Sequence, residues 1–128
     1  LALCAIVCAS AHGAASSTGT RRLMQGPMIG PASPESISIW VRLSGPYTAA
    51  IEYDEDAAFT SPELSPSITV RREDDFTGVL HATGLKPATT YYYRVLVEGQ
   101  PDPYLKGGFP FVTKTAPEGK AAFSIAYG

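Results

Sequence analysis

The stretch that decides the fold is Leu85-Lys86-Pro87-Ala88-Thr89-Thr90-Tyr91-Tyr92-Tyr93-Arg94-Val95. Pro87 fixes φ and ends the strand before it, and Gly84 supplies turn freedom. From Thr89 the residues become β-branched and aromatic, with no helical spacing. The reading is a tight corner followed by a strand. Alternation then places Tyr91, Tyr93, Val95 and Val97 in the core and turns Tyr92, Arg94 and Leu96 outward.

Working outward from the corner, the same period of two recurs. Ser36 to Leu43 sets Ile37, Ile39 and Val41 on one face and Ser38, Trp40 and Arg42 on the other, with Trp40 making the second face partly buried. Tyr47 to Tyr53 alternates Ala49, Ile51 and Tyr53 against Thr48, Ala50 and Glu52. Phe76 to Thr83 points Phe76, Leu80 and Ala82 inward and Thr77, Val79 and His81 outward. Gln25-Gly26-Pro27-Met28-Ile29-Gly30-Pro31, broken twice by Gly-Pro, suits a short edge strand. Asp54 to Pro66 reads as a loop, Ser67 to Arg72 as a strand, Glu98 to Lys106 as a hairpin loop and Gly108 to Thr115 as the last strand. About seven antiparallel strands in two sheets are expected, an all-β sandwich.

Composition agrees with one small domain. A chain of 128 residues with a net charge of -2 and 17% charged residues gives no electrostatic case for a nucleic acid or an anionic membrane surface. Leu1 to Ala9 is an apolar run too short to span a bilayer, followed by Ala9-Ser10-Ala11, which fits a cleavage site. It reads as a signal peptide that begins inside its hydrophobic region; the alternative is a buried strand. Leu3 and Val7 precede Cys4 and Cys8, which does not suit a lipid anchor, and Arg21-Arg22 follows the apolar run, so it is no twin-arginine signal. With both cysteines in the removable segment, the mature part is expected to hold together without disulfides or a cysteine zinc site. The expected organisation is residues 1–22 as truncated signal peptide and flexible linker, 23–116 as the sandwich, and 117–128 as linker and the first strand of an absent second domain. The apolar run Ala121 to Tyr127 carries that last expectation, because a strand without a partner leaves its side chains in water.

The corner resembles the E–F corner of fibronectin type III and immunoglobulin-like domains, where a tyrosine hydroxyl bonds back to upstream backbone, and Tyr91 is that tyrosine in this sequence. A more specific resemblance spans Leu23 to Gly128. Gln25-Gly26-Pro27-Met28-Ile29-Gly30-Pro31, Ser38-Ile39-Trp40-Val41-Arg42, Asp75-Phe76-Thr77, Gly84-Leu85-Lys86-Pro87 with Tyr91-Tyr92-Tyr93-Arg94-Val95, and Phe111-Val112-Thr113-Lys114-Thr115-Ala116-Pro117 occur in order. Together they resemble the N-terminal domain of PhoD-like alkaline phosphatases. The resemblance implies an exported enzyme, periplasmic or extracellular, that hydrolyses phosphate monoesters and diesters with calcium and iron held by a following metallophosphatase domain. In that family the strand matching Phe123 to Gly128 leads into Ser-Cys, whose cysteine is a metal ligand. The implied partner is that second domain, packed within the same chain; no nucleic acid and, after signal cleavage, no membrane are expected. None of the residues from Leu1 to Gly128 is assigned a catalytic, cofactor-binding or metal-ligating role.

The side chains that could contradict this have simpler readings. His81 has no second His or Cys nearby and reads as a surface side chain. Asp54-Glu55-Asp56 and Glu73-Asp74-Asp75 lack the ligand spacing and glycine of a calcium loop and read as solvated turns. There is no phosphate-cradling Gly-rich loop and no Gly-x-Ser-x-Gly elbow. Of Tyr91, Tyr92 and Tyr93, only Tyr92 is free to stack on a sugar or a base. Trp40 beside Arg42 marks either a docking face or ordinary sandwich packing. Two functions remain open: the accessory domain of an exported metal-dependent phosphatase, or a fibronectin-like binding or adhesion module.

Overall fold

The computed structural model describes residues 20–102 and 110–119. Within them lie nine strands: β1 (Leu23–Ala32), β2 (Ser36–Leu43), β3 (Thr48–Asp54), β4 (Glu63–Leu64), β5 (Ile68–Thr69), β6 (Thr77–Thr83), β7 (Thr90–Val97), β8 (Gln100–Pro101) and β9 (Phe111–Lys114). One sheet runs β1-β2-β6. In the other, β3 and β7 are central, β4 and β5 pair with the outer side of β3, and β8 and β9 pair with β7. All pairings are antiparallel. The expected seven strands become nine because each edge of the second sheet is broken in two. Ser65 and Pro66 interrupt the first edge, where the Ser65 hydroxyl accepts from Ile51 N–H (3.0 Å) and so replaces a ladder bond.

The core forms where the inward rows of the two sheets meet. Ile37, Ile39, Val41 and Leu43 from β2 and Leu80 and Ala82 from β6 face Ala49, Ile51 and Tyr53 from β3 and Tyr91, Tyr93, Val95 and Val97 from β7. Fully burying one such aliphatic side chain is worth about 1.5–3 kcal/mol, so this double layer is the main stabilising term. Phe76 packs against it partly buried, and Phe111 stacks on Tyr93 with ring centroids 5.5 Å apart. Gly78 belongs to the same inward row of β6, and its missing side chain leaves room for Ile68 and Val70.

Several expectations change in detail. β1 is an edge strand, but it is ten residues long rather than short, because its breakers are absorbed as register shifts against β2. Gly26 sits at φ +93, and a Cβ there would lie 2.7 Å from the Trp40 carbonyl oxygen. The loop from Asp54 to Pro66 contains β4, and the strand expected over Ser67 to Arg72 contracts to β5. Its charged end has nothing to bury, so Arg72–Asp74 forms a 3-10 turn closed by Asp75 at φ 53. Leu96, expected to face water, is buried (8% exposed), with Ala50 and Pro101 as its cross-strand neighbours. The signal peptide over Leu1 to Ala9, residues 103–106 of the hairpin loop ending at Lys106, the beginning of the strand expected from Gly108, and the strand expected over Ala121 to Tyr127 lie outside the described residues, while the described part of that loop contains β8.

Gly26→Ala should therefore lower stability by roughly 1–3 kcal/mol through backbone strain, before the contact with Trp40 is counted. Urea denaturation followed by tryptophan fluorescence measures it, and an unchanged midpoint would show that β1 is not held in this register.

Candidate functional site

The corner is built on one residue's backbone. Gly84 turns at φ +74, Leu85 donates its N–H to the Glu35 carbonyl (3.0 Å), and its side chain enters the core. Lys86 N–H then donates to the Tyr91 hydroxyl at 3.0 Å, so the expected corner tyrosine is in place, with its backbone partner five residues upstream. Tyr91 is 5% exposed and meets the Tyr53 ring edge-on, centroids 6.1 Å apart. The Tyr53 hydroxyl donates to Glu63 (3.2 Å).

The exit of β9 is fastened to the same corner. Thr115 is 2% exposed; its hydroxyl donates to the Lys86 carbonyl (2.6 Å) and accepts from Thr89 N–H (2.9 Å). Its backbone N–H donates to the Thr89 carbonyl (3.0 Å), and Ala88 N–H donates to the Ala116 carbonyl (3.0 Å). Ala116 N–H then reaches across to the Ser33 carbonyl just past β1 (3.1 Å). Sequence reasoning placed Thr115 at the end of the last strand and missed this role. The available signal was a polar residue falling on the inward parity of β9, two beyond the buried Thr113.

Beside the corner opens a cleft of about 270 Å³ lined by Tyr53, Asp54, Glu55, Glu63, Lys86 and Tyr91. Its charges are mutually satisfied. The Lys86 ammonium bonds Glu55 (2.5 Å), and this hydrogen bond, with the charge attraction, holds its pKa above the ordinary value. Asp54 accepts from the Asp56 and Ser61 N–H groups (3.1 and 2.9 Å), which hold its carboxyl below the ordinary value. Burial first, then the Glu63 carboxylate, raise the Tyr53 phenol. This is turn-stabilising chemistry, with no nucleophile set against a base.

The other candidates are dispersed over both outer faces. His81 is exposed and shares a 3.0 Å hydrogen bond with Ser38. Asp75 binds Arg42 (2.9 Å), which ties down that cation beside Trp40. Arg94 pairs with Glu52 and lies 4.5 Å over the Phe59 ring. Tyr92 is half-buried opposite exposed Val112. Among the described residues no group of three or more His, Cys, Asp or Glu could hold a metal ion. No helix among them is long and apolar enough to cross a membrane.

A two-sheet antiparallel sandwich whose tyrosine corner also anchors its exit strand defines an immunoglobulin-like scaffold domain. The chain belongs to the family described as PhoD-like phosphatase, N-terminal domain, whose model matches residues 7–117. Among solved structures, it is similar to that of PhoD at TM-score 0.60 and 21% identity, over 74% of this chain and 19% of that one. The chain thus spans about a fifth of the length of that protein. It is also similar to the sensor domain of the anti-sigma factor RsgI4 of Pseudobacteroides cellulosolvens, at TM-score 0.52 and 21% identity over 83% of this chain and 99% of that one. At these identities the likeness is one of fold. No curated protein matches the chain.

Two measurements test the corner. Tyr91→Phe leaves Lys86 N–H without its acceptor and should cost roughly 1 kcal/mol, while Thr115→Val removes a donor and an acceptor together and should cost more, about 2 kcal/mol. Equal denaturation midpoints for wild type and both variants would contradict the bonding described. Burial also pushes the Tyr93 phenol up to about 12. Since the unfolded phenol loses its proton near pH ~10, the folded state holds more protons between about pH 10 and about pH 12. Stability should therefore be complete below that window and fall as pH rises through it. A urea midpoint that stays level across the window would refute this, and Tyr93→Phe should flatten the decline.

Proposed function

We propose that this chain is the accessory, non-catalytic N-terminal sandwich of an exported PhoD-like phosphatase, whose metallophosphatase domain follows it and hydrolyses phosphate monoesters and diesters. The family match over residues 7–117 carries the reading. The exit locked onto the corner supports it, because a domain that must present a neighbour in one orientation gains from an exit that cannot swing. The apolar run Leu1 to Ala9 supports export. Calcium and iron belong, in this reading, to the following domain, where cations neutralise charge developing on phosphorus.

A second reading, a fibronectin-like binding module, draws on the likeness to the RsgI4 sensor domain, nearly the whole of which superposes on this sandwich. It predicts a ligand for the isolated chain on a glycan or peptide array, and an array without hits would remove it.

The discriminating experiment compares this chain with the product of the complete gene. With calcium and iron added, the chain alone should leave p-nitrophenyl phosphate and bis-p-nitrophenyl phosphate intact, and the complete product should hydrolyse both. Turnover by the chain alone would overturn the accessory role. A stop codon or another sandwich after Gly128 would overturn the phosphatase.

A further inference from the structure

The large apolar side chains left exposed among the described residues are Met24, Met28, Ile29, Leu64, Val79 and Val112. Four of the six lie on β1 and β9. These two strands occupy the same side of the sandwich, because β1 is clasped at both ends to the neighbouring edge. Leu23 N–H donates to Asp102, just after β8 (2.5 Å), and the Ser33 carbonyl receives Ala116 N–H, just after β9 (3.1 Å).

The register shows that this side is open. Ile29 pairs with Ile39, and cross-strand partners share a face. Ile39 is fully buried, yet Ile29 is 49% exposed, so beyond Leu23 the core layer does not extend over β1, and Ile29 projects past the opposite sheet. On the outer face, Met28 pairs with Trp40, adding an exposed thioether (60%) to a half-buried indole. Aromatic and methionine side chains grouped at a rim are the usual anchors of a protein interface, and apolar surface left in water costs about 25 cal/mol per Å².

We propose that the β1/β9 edge, with Met28, Ile29 and Trp40 as anchors on the rim of one sheet and Val112 on the outer face of the other, is the seat of the metallophosphatase domain. The inference rests on the reading that such a domain follows. What selects this occupant is the exit. Ala116 N–H is bonded to the Ser33 carbonyl at the end of β1 and Thr115 is held by Lys86 and Thr89, so the chain leaves the sandwich from a fixed point beside the end of this edge. The far edge, with β4 and β5, lies across β3 and β7 from the exit.

Thiol accessibility tests it. Met28→Cys, Val112→Cys and, as control on the far edge, Leu64→Cys are each made with Cys4→Ser and Cys8→Ser, in residues 1–128 and in the complete gene product. All three positions are more than half exposed, so the substitutions should be tolerated. Maleimide labelling is read at each site by peptide mass spectrometry. Labelling at Met28→Cys and Val112→Cys should slow roughly tenfold or more in the complete product, as buried interface positions exclude solvent, while Leu64→Cys labels alike in both proteins. Equal rates at all three sites in a complete product that still hydrolyses bis-p-nitrophenyl phosphate would overturn the edge assignment and leave the proposed function standing. Shielding already present in residues 1–128 would assign the edge to the chain's own segments and also overturn it. A complete product without phosphoester hydrolysis removes the proposed function and this inference with it.

Discussion

The structure depends on how the peptide of Lys86 is held. Its N–H is taken by the Tyr91 hydroxyl and its carbonyl by the Thr115 hydroxyl, so one residue in the crossing between the sheets is gripped from two later strands. Each bond contributes about 1 kcal/mol net. The grip fixes where β6 leaves its sheet, where β7 enters the other, and where β9 ends. Leu85 can then fill the end of the core, and Tyr53 can close it edge-on against Tyr91.

From that corner the order of the molecule follows. The three-stranded sheet has little to bury alone, and Ile37, Ile39, Val41 and Leu43 gain their burial only when β3 and β7 are set opposite them at the right height. The corner supplies that height at one end. At the other, the Asp102 carboxylate takes Leu23 N–H and the Glu98 carboxylate takes Thr48 N–H, so both ends of the sandwich are closed by side chains bonding backbone. Among the described residues, Tyr91, Thr115, Asp102 and Glu98 each turn a polar side chain onto the chain's own backbone.

Much of this was legible in the sequence because alternation is a local signal. β2, β3, β6 and β7 could be read from the period of Ile37 to Val41, Ala49 to Tyr53, Phe76 to Ala82 and Tyr91 to Val97, and the corner tyrosine from the Leu-x-Pro spacing before it. What escaped was set by partners distant in sequence. Leu96 has an outward parity and is buried by what lies across from it, and Thr115 looks like any strand-end threonine until Lys86 is placed beside it. β1 outran its breakers because an edge tolerates bulges that a central strand would not.

The broken edges have a consequence for how anything can attach. β4, β5 and β8 are two residues each and β9 four, too short to template a long incoming strand. β1 is long, but Pro27 and Pro31 carry no N–H and its register is interrupted three times. On these strands growth by main-chain pairing is resisted, which leaves the seven-residue β6, at the other end of the three-stranded sheet, as the regular edge among the described strands. Along the β1/β9 side a neighbour has to be recognised by the shape and chemistry of side chains, and affinity of that kind can discriminate between surfaces where a bare backbone ladder cannot.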